Sequence, residues 1–508
     1  MTTTWTVLAS LAVILVTRVA ADRSGLPAAV LLVAAGLVVG VVPGPTERLE
    51  PELVLELVIP PLLFAAARSA SLLELRANAR IVGSLSVALV LVTAFAVAGA
   101  VDAAVPAIGF AAALALGAAV APPDPVAALA IGRRAGLPRR LTTLVEGEGL
   151  LNDATALTLY GLAVAAATGG GFSAGEGVGR FLLAVVGGVA AGAAVAAGVT
   201  LIERAVEDSL VRNAVSLATP FAAYALAETA HGSGVLAVVV AGLLVAHGGA
   251  RLGTGESRLQ TGAVWRLVEY LLEGYVFLLI GQQVPDVLDG LRAYDAGTVA
   301  AATGATLAAV LLVRLWWMLV LRRRTPLGGR EGVALWWAGT RGVITLATVY
   351  ALPASFPERD LVVFCALAVV LVTLVGQGLT FGPVLRGLRL ESPGEADARM
   401  RGEARVAALE AAVARVDEVA QVEDLPDEVV RGVREQLDRA RGRMRARLDD
   451  DVALQEWTGR RAAVGVLRQA IIDAQREELL RRRDAGRLSD ADLRVLERQL
   501  DLQELSLS

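Results

Sequence analysis

Apolar runs of bilayer length alternate with short polar loops from the first residues to about Leu390, and beyond Glu391 charged residues dominate with no long apolar run returning. A helix needs about 20 apolar residues to cross the hydrocarbon core of a membrane. On that measure the pattern predicts thirteen spans, at 4–21, 26–43, 51–67, 81–101, 105–131, 141–167, 180–202, 213–230, 233–249, 263–284, 297–320, 330–352 and 360–385. Only the turn signal His231-Gly232-Ser233-Gly234 divides the eighth from the ninth. The first run, Trp5 to Ala20, follows Met1 to Thr4 with no basic residue and precedes many further spans, so it reads as the first transmembrane helix and not as a signal peptide. The expectation is an all-α polytopic membrane protein, with a transmembrane domain at 1–390 and a soluble, helical domain at 391–508.

Arginine placement orients these spans. Loops after odd-numbered spans hold Arg23, then Arg68, Arg76 and Arg80, then Arg133, Arg134, Arg139 and Arg140. The series continues with Arg204 and Arg212, Arg251 and Arg258, and Arg322 to Arg324. Loops after even-numbered spans hold at most one each, such as Arg48, Arg180, Arg292 and Arg359. The positive-inside rule then puts the odd loops and the tail in the cytoplasm and the N-terminus outside.

Thirteen spans divide into six, one linker and six, with the second half inverted. Many secondary transporters are inverted repeats whose binding site lies at the midplane in broken helices. Pro122-Pro123-Asp124-Pro125 interrupts the fifth span, and Gly339-Thr340-Arg341-Gly342 interrupts the twelfth, its counterpart in such a repeat. Both interruptions carry an ionisable residue.

Composition narrows the chemistry. Of 508 residues, 55% are hydrophobic, all 47 basic residues are Arg, and heavy Ala, Gly, Arg and Val use points to a GC-rich bacterial genome and so to the inner membrane. A net charge of −4 gives no basic field for nucleic acid. The single cysteine, Cys365, excludes an internal disulfide and a cysteine-based metal cluster, and its apolar surroundings fit a packing role.

Charges inside apolar spans are expensive, so each is a functional candidate. They are Asp124, Glu148, Asp153, Glu228, Glu269, Glu273, Arg314 and Arg341. At 100° per residue, Glu148 and Asn152 lie about 40° apart around one helix, and Asp153 about 100° beyond Asn152. Asn152 and Asp153 can therefore face one cavity while Glu148 seeks a partner elsewhere. A carboxylate beside an amide oxygen suits a hard monovalent cation. Asp124, at an unwound point, adds a second carboxylate and freed backbone carbonyls. A carboxylate removed from water needs a counter-charge, so Glu148 pairs with Arg314 or Arg341. Plainer roles stand beside these: interhelical packing for Asn152 and Asp153, a helix cap for Asp124, and a structural role for the Glu148 pair. Glu269 and Glu273, four apart with Arg266 nearby, read as a helix-end salt bridge. Glu228 and His231 read as a solvated span edge.

The segment around Glu146-Gly147-Glu148-Gly149-Leu150-Leu151-Asn152-Asp153 resembles the Glu-Ser-Leu-Leu-Asn-Asp signature of the sodium/proton exchangers, in the electroneutral branch of the monovalent cation:proton antiporters. Pro123-Asp124-Pro125-Val126 resembles that family's Asp-Pro-Val break, Gly339-Thr340-Arg341-Gly342 its Gly-Leu-Arg-Gly helix, and Pro60-Pro61-Leu62-Leu63-Phe64 its early Pro-Pro-Leu-Leu-Phe segment. The four motifs keep their order across residues 1–390. The resemblance implies about thirteen helices with a core domain sliding against a dimerisation domain, hence a homodimer in membrane lipid. It implies that Asp153 binds cation or proton alternately, that Asn152 and Asp124 line the Na+ site, and that Glu148 bridges to an arginine, of which Arg341 matches best. Arg314 falls on the helix where electrogenic relatives use a lysine. The implied cargo is Na+ and H+, with no cofactor and no enzymatic reaction. Gly149 stands where the signature has Ser, Pro123 where many members have Thr, and Ala65 where some carry an acid. Backbone or water must replace the two hydroxyls, and K+ or Li+ stays open as cargo beside Na+.

Val429, Val433 and Leu437 follow helical spacing in the tail, which predicts three to five helices there. Ser489 with Asp492 reads as a capping box opening a last helix to about Leu505. A membrane cation sensor signalling through this tail is a second functional class. An intramembrane aspartyl protease is a third, against which stands the absence of Gly-x-Gly-Asp around Asp124 and Asp153.

Overall fold

The computed structural model describes residues 2–24, 26, 28–41, 54–125, 128–129, 132, 136–169, 174–206, 208–249, 255–390, 394–422, 426–448, 471–472, 474–475, 477–482, 493, 496 and 500. Every regular element among them is helical. The chain forms two compact units, Met1–Glu391 and Ser392–Ser508.

The first unit begins with α1 (Thr2–Ser24), α2 (Ala28–Val41), α3 (Ile59–Ser69) and the short α4 (Leu72–Ala77). Next come α5 (Ala79–Ala104), α6 (Phe110–Val120) and α7 (Arg139–Ala167). After α8 (Ala174–Ala205), α9 (Ser209–Thr229) and α10 (Gly234–Gly249) lies the long α11 (Gly255–Gly290). It closes with α12 (Ala296–Arg324), α13 (Gly329–Trp337), α14 (Val343–Tyr350) and α15 (Arg359–Leu388).

Five described helices are long and apolar enough to cross a membrane: α5, α7, α12, α15 and the Phe181–Ala205 part of α8. Ala28–Val41, Phe110–Val120 and Gly234–Gly248 are shorter apolar helices. Other expected spans take different forms, for local reasons. The fifth stops at Val120 because Pro122 and Pro123 lack the N–H groups to continue it, and the twelfth divides into α13 and α14 at Gly339–Gly342. The eighth and ninth separate at His231, whose φ of 54° turns the chain.

Helix ends follow the dipole rule. Asp295 caps α12 by accepting from the N–H groups of Gly297 (2.8 Å) and Thr298 (3.1 Å), and Arg322, Arg323 and Arg324 occupy its last turn. Within the unit, α2 and α11 pack backbone against backbone. A Cβ at Gly36 would strike the Leu278 carbonyl, and one at Gly281 the Val33 carbonyl.

In the second unit α16 (Gly394–Val422) and α17 (Asp427–Leu448) pair through Arg445–Glu410 and the seating of Leu448 against Gly402. Val429 and Val433 of α17 line a groove with Val416 and Val419 of α16. The expected capping box at Ser489 and Asp492 lies outside the described residues.

Candidate functional site

The two interruptions meet. Residues 121–124 and 338–342 are both non-helical, and they bond to each other. The Asp124 N–H donates to the Thr340 carbonyl (2.7 Å), and the Thr340 hydroxyl donates to the Asp124 carbonyl (3.0 Å). Arg341, 1% exposed, spans the junction. Its Nε donates to the Val120 carbonyl (2.9 Å), Nη2 to Ala121 (3.2 Å), and Nη1 to Gly339. The cation therefore occupies the carbonyl end of α6, satisfying groups the proline break leaves without partners. Its own N–H donates to the Thr373 hydroxyl (3.0 Å), presented by a π-helical stretch of α15, Val372–Gln377.

α7 supplies the next layer. The Asn152 side chain, fully buried, donates from Nδ2 to the Pro123 carbonyl (2.9 Å). Its Oδ1 has no hydrogen-bond partner among the described residues. Asp153 is 6% exposed and faces a cavity of about 60 Å³. Asp124, Pro125, Gly149 and Thr345 line the same cavity. A Cβ at Gly342 would overlap the Asp124 carboxylate, and one at Gly149 would overlap the Pro125 ring. The glycine at 149, where the signature has Ser, is thus a packing requirement of the break. The Pro123 carbonyl and the Thr345 hydroxyl are oxygen groups at the site where the motif hydroxyls are missing.

Glu148 is where the resemblance needs correcting. Its carboxylate pairs in bidentate fashion with Arg314, through Nη2–Oε2 (2.9 Å) and Nη1–Oε1. Both side chains are 2% exposed. Arg314 also donates to the Leu335 carbonyl near the end of α13, from Nη2 at 2.8 Å and Nε at 3.2 Å. Arg341 is not the partner, because its guanidinium is engaged by the carbonyls of the break. The Ser86 hydroxyl, from the π-helical stretch Ser84–Ala88, reaches the Glu148 carbonyl (3.2 Å).

Glu269 and Glu273 of α11 line the cavity that holds Asp153. Thr345 joins them there without having stood out in the sequence. The available signal is a pair of acids one turn apart inside an apolar run, and a hydroxyl one turn beyond a break. Glu228 and His231 are exposed at the end of α9, apart from this group.

Outside the spans, Glu74 of α4 ties the start of α7 in place. The Thr143 hydroxyl donates to it, and Arg139 donates from Nε (3.0 Å). Chiefly the Thr143 bond, with Arg139 adding to it, holds this carboxyl below the usual carboxylate range.

The arrangement can hold a monovalent cation or a proton on a buried carboxylate, next to a second carboxylate and several neutral oxygens. Comparison with known proteins agrees with such chemistry. Residues 7–387 match the family described as sodium/hydrogen exchanger, transmembrane. An uncharacterized Na+/H+ exchanger of Mycobacterium tuberculosis is 33% identical over 99% of this chain and 95% of its own length. The low-affinity Na+/H+ antiporter of Synechocystis is 28% identical over 72% of this chain and 70% of that protein. A sodium, potassium, lithium and rubidium/H+ antiporter of Bacillus subtilis is 30% identical over 48% of this chain and 40% of its own. The solved sodium proton antiporter of Methanocaldococcus jannaschii shares the fold, with a TM-score of 0.64 at 15% identity, covering 77% of this chain and all of that one.

Proposed function

The chain belongs to the sodium/hydrogen exchanger family and is a membrane antiporter, not an enzyme; from that footing we propose that it exchanges Na+ for H+ one for one, with Asp153 holding cation and proton in turn. One observation carries this reading. Asp153 is buried, has no hydrogen bond or ion pair among the described residues, and opens on a cavity at the meeting point of two broken helices. A buried carboxylate in that state needs a cation or a proton.

In this reading Asp124 and Asn152 complete the Na+ site with Asp153. The Glu148–Arg314 pair and Arg341 hold the broken helices in register. The breaks at Asp124 and Arg341 occupy matching places in two inverted six-helix repeats, within about thirteen spans. The core helices slide against a dimerisation domain, so alternating access exposes Asp153 to each side. The positive-inside rule, applied to the arginine-rich loops, supports a tail in the bacterial cytoplasm and an N-terminus outside.

K+ or Li+ exchange is the second reading, favoured by the similarity to the multi-cation antiporter of B. subtilis. Proton flux in proteoliposomes, with Na+, K+ and Li+ supplied separately, tests both. Na+ alone, or Na+ well ahead of K+, supports the first reading; equal response to K+ supports the second. No response to any cation refutes exchange.

A further inference from the structure

Glu269 and Glu273 sit one turn apart on α11, about 6 Å along the axis. Both line the Asp153 cavity, and both also line a second cavity of about 580 Å³ beside Arg18, Arg266 and Tyr270. They are the two residues that the linings share. α11 is held where it presents them: the Tyr270 hydroxyl donates to the Ile14 carbonyl (3.1 Å), and Gly274 seats directly against Ile14 of α1.

Resting on the exchange reading, we propose that Glu273, backed by Glu269, is a cation station between this larger vestibule and Asp153. Glu273 is half-buried and has no hydrogen bond or ion pair among the described residues. It shares a cavity of a few waters' volume with Asp153, itself buried and likewise without such a partner. Carboxylates gathered on so small a cavity repel unless a cation or a proton sits among them. No three His, Cys, Asp or Glu side chains among the described residues are placed to hold one metal ion. Glu273 is therefore a neighbouring station, one step from the Asp153 site, and not a third ligand within it.

The vestibule also contains the means of release. Arg18 pairs with Asp22 (3.4 Å) and lies over the Tyr270 ring (6.0 Å to its centre), while Arg266 adds positive charge to the same cavity. Arg18 being balanced by Asp22, Arg266 is the charge that tempers the two glutamates, so a cation binds strongly enough to enter and weakly enough to move on. With the proposed orientation, the vestibule opens at the cytoplasmic side.

The test uses the full chain in proteoliposomes, with Na+ as the probe. Initial rates of Na+-driven proton flux are measured against Na+ concentration for wild type, E273Q, E273D, E269Q and D153N. E273Q should raise the half-saturating Na+ concentration about tenfold while the maximal rate stays within about threefold, the pattern of lost ground-state binding. E273D should restore most of the affinity, and E269Q should show a smaller shift. D153N should be inactive. Unchanged half-saturation in E273Q beside an active wild type would remove this inference alone. Flux lost in E273Q as fully as in D153N would also overturn it, by making Glu273 a carrier. A silent wild type would remove the exchange reading and this inference together.

Discussion

Arg314 grips Glu148 with two parallel bonds in the dry interior and, with the same guanidinium, holds the Leu335 carbonyl near the end of α13. The pair links α7, which carries Asp153, to α12 and to the approach of the second broken helix. The two buried arginines therefore play different parts, since Arg314 neutralises Glu148 and Arg341 closes the break.

Removing one partner of such a buried pair leaves an uncompensated charge and costs about 3–5 kcal/mol. Glu148→Gln and Arg314→Ala should each lower thermal stability in detergent, and the double variant should be milder than their sum. Glu148→Gln and Arg341→Ala should couple more weakly than Glu148→Gln and Arg314→Ala, since only charge and no hydrogen bond joins them. Coupling between Glu148 and Arg341 as strong as that with Arg314 would contradict the assignment.

Gly342 leaves room for the Asp124 carboxylate, and a methyl group there would overlap it. Gly342→Ala should displace Asp124 and raise the half-saturating Na+ concentration about tenfold or more, with the protein still monodisperse. Wild-type Na+ affinity in that variant would show that Asp124 plays no part in the site.

The loop helix α4 gives a pH-dependent handle. Glu74 has a lowered pKa in the folded chain, so its bonds to Thr143 and Arg139 stabilise the protein fully above the unfolded carboxylate pKa of about 4.3. That contribution disappears as pH falls through the lower, folded value. Glu74→Gln should therefore melt below wild type at pH 7, with the gap closing as the pH drops under about 4. A gap that widened toward acid would reverse the sign of the argument.

Exchange should be electroneutral. The chain has no lysine to give up a proton when the cation binds, and arginine does not deprotonate in proteins. With Asp153 cycling alone, one proton leaves for each cation, and rates should ignore a potassium/valinomycin-clamped potential. A sustained current under a sodium gradient would bring in Asp124 or Glu273 as a second carrier.

Much of this site is legible in the sequence because its signals are local. Prolines 122, 123 and 125 and glycines 339 and 342 disrupt helices wherever they stand, and the phase of Asn152 and Asp153 follows from one helix. The partner of Glu148 is not legible. Helical phase gives its direction, but Arg314 and Arg341 lie on separate segments whose distance depends on how the breaks bond. Glu273 stands out in the sequence as a charge inside an apolar span, but its place on the Asp153 cavity is not legible, for a similar reason. Its exposure to the cavity depends on the close packing of α11 against α1 and α2, and the spacing to Arg266 suggests a simpler partner. Within the span expected over 105–131, α6 is 11 residues long and ends at the proline break that the sequence marks.

Na+-driven proton flux through purified Asp153→Asn in proteoliposomes tests most directly whether Asp153 is the carrier. The carboxamide keeps the volume and removes the charge, so the variant should insert and elute as wild type does while exchanging nothing above the protein-free baseline. Flux at a substantial fraction of the wild-type rate would contradict the account, because the cation and the proton would then be exchanging on some other group.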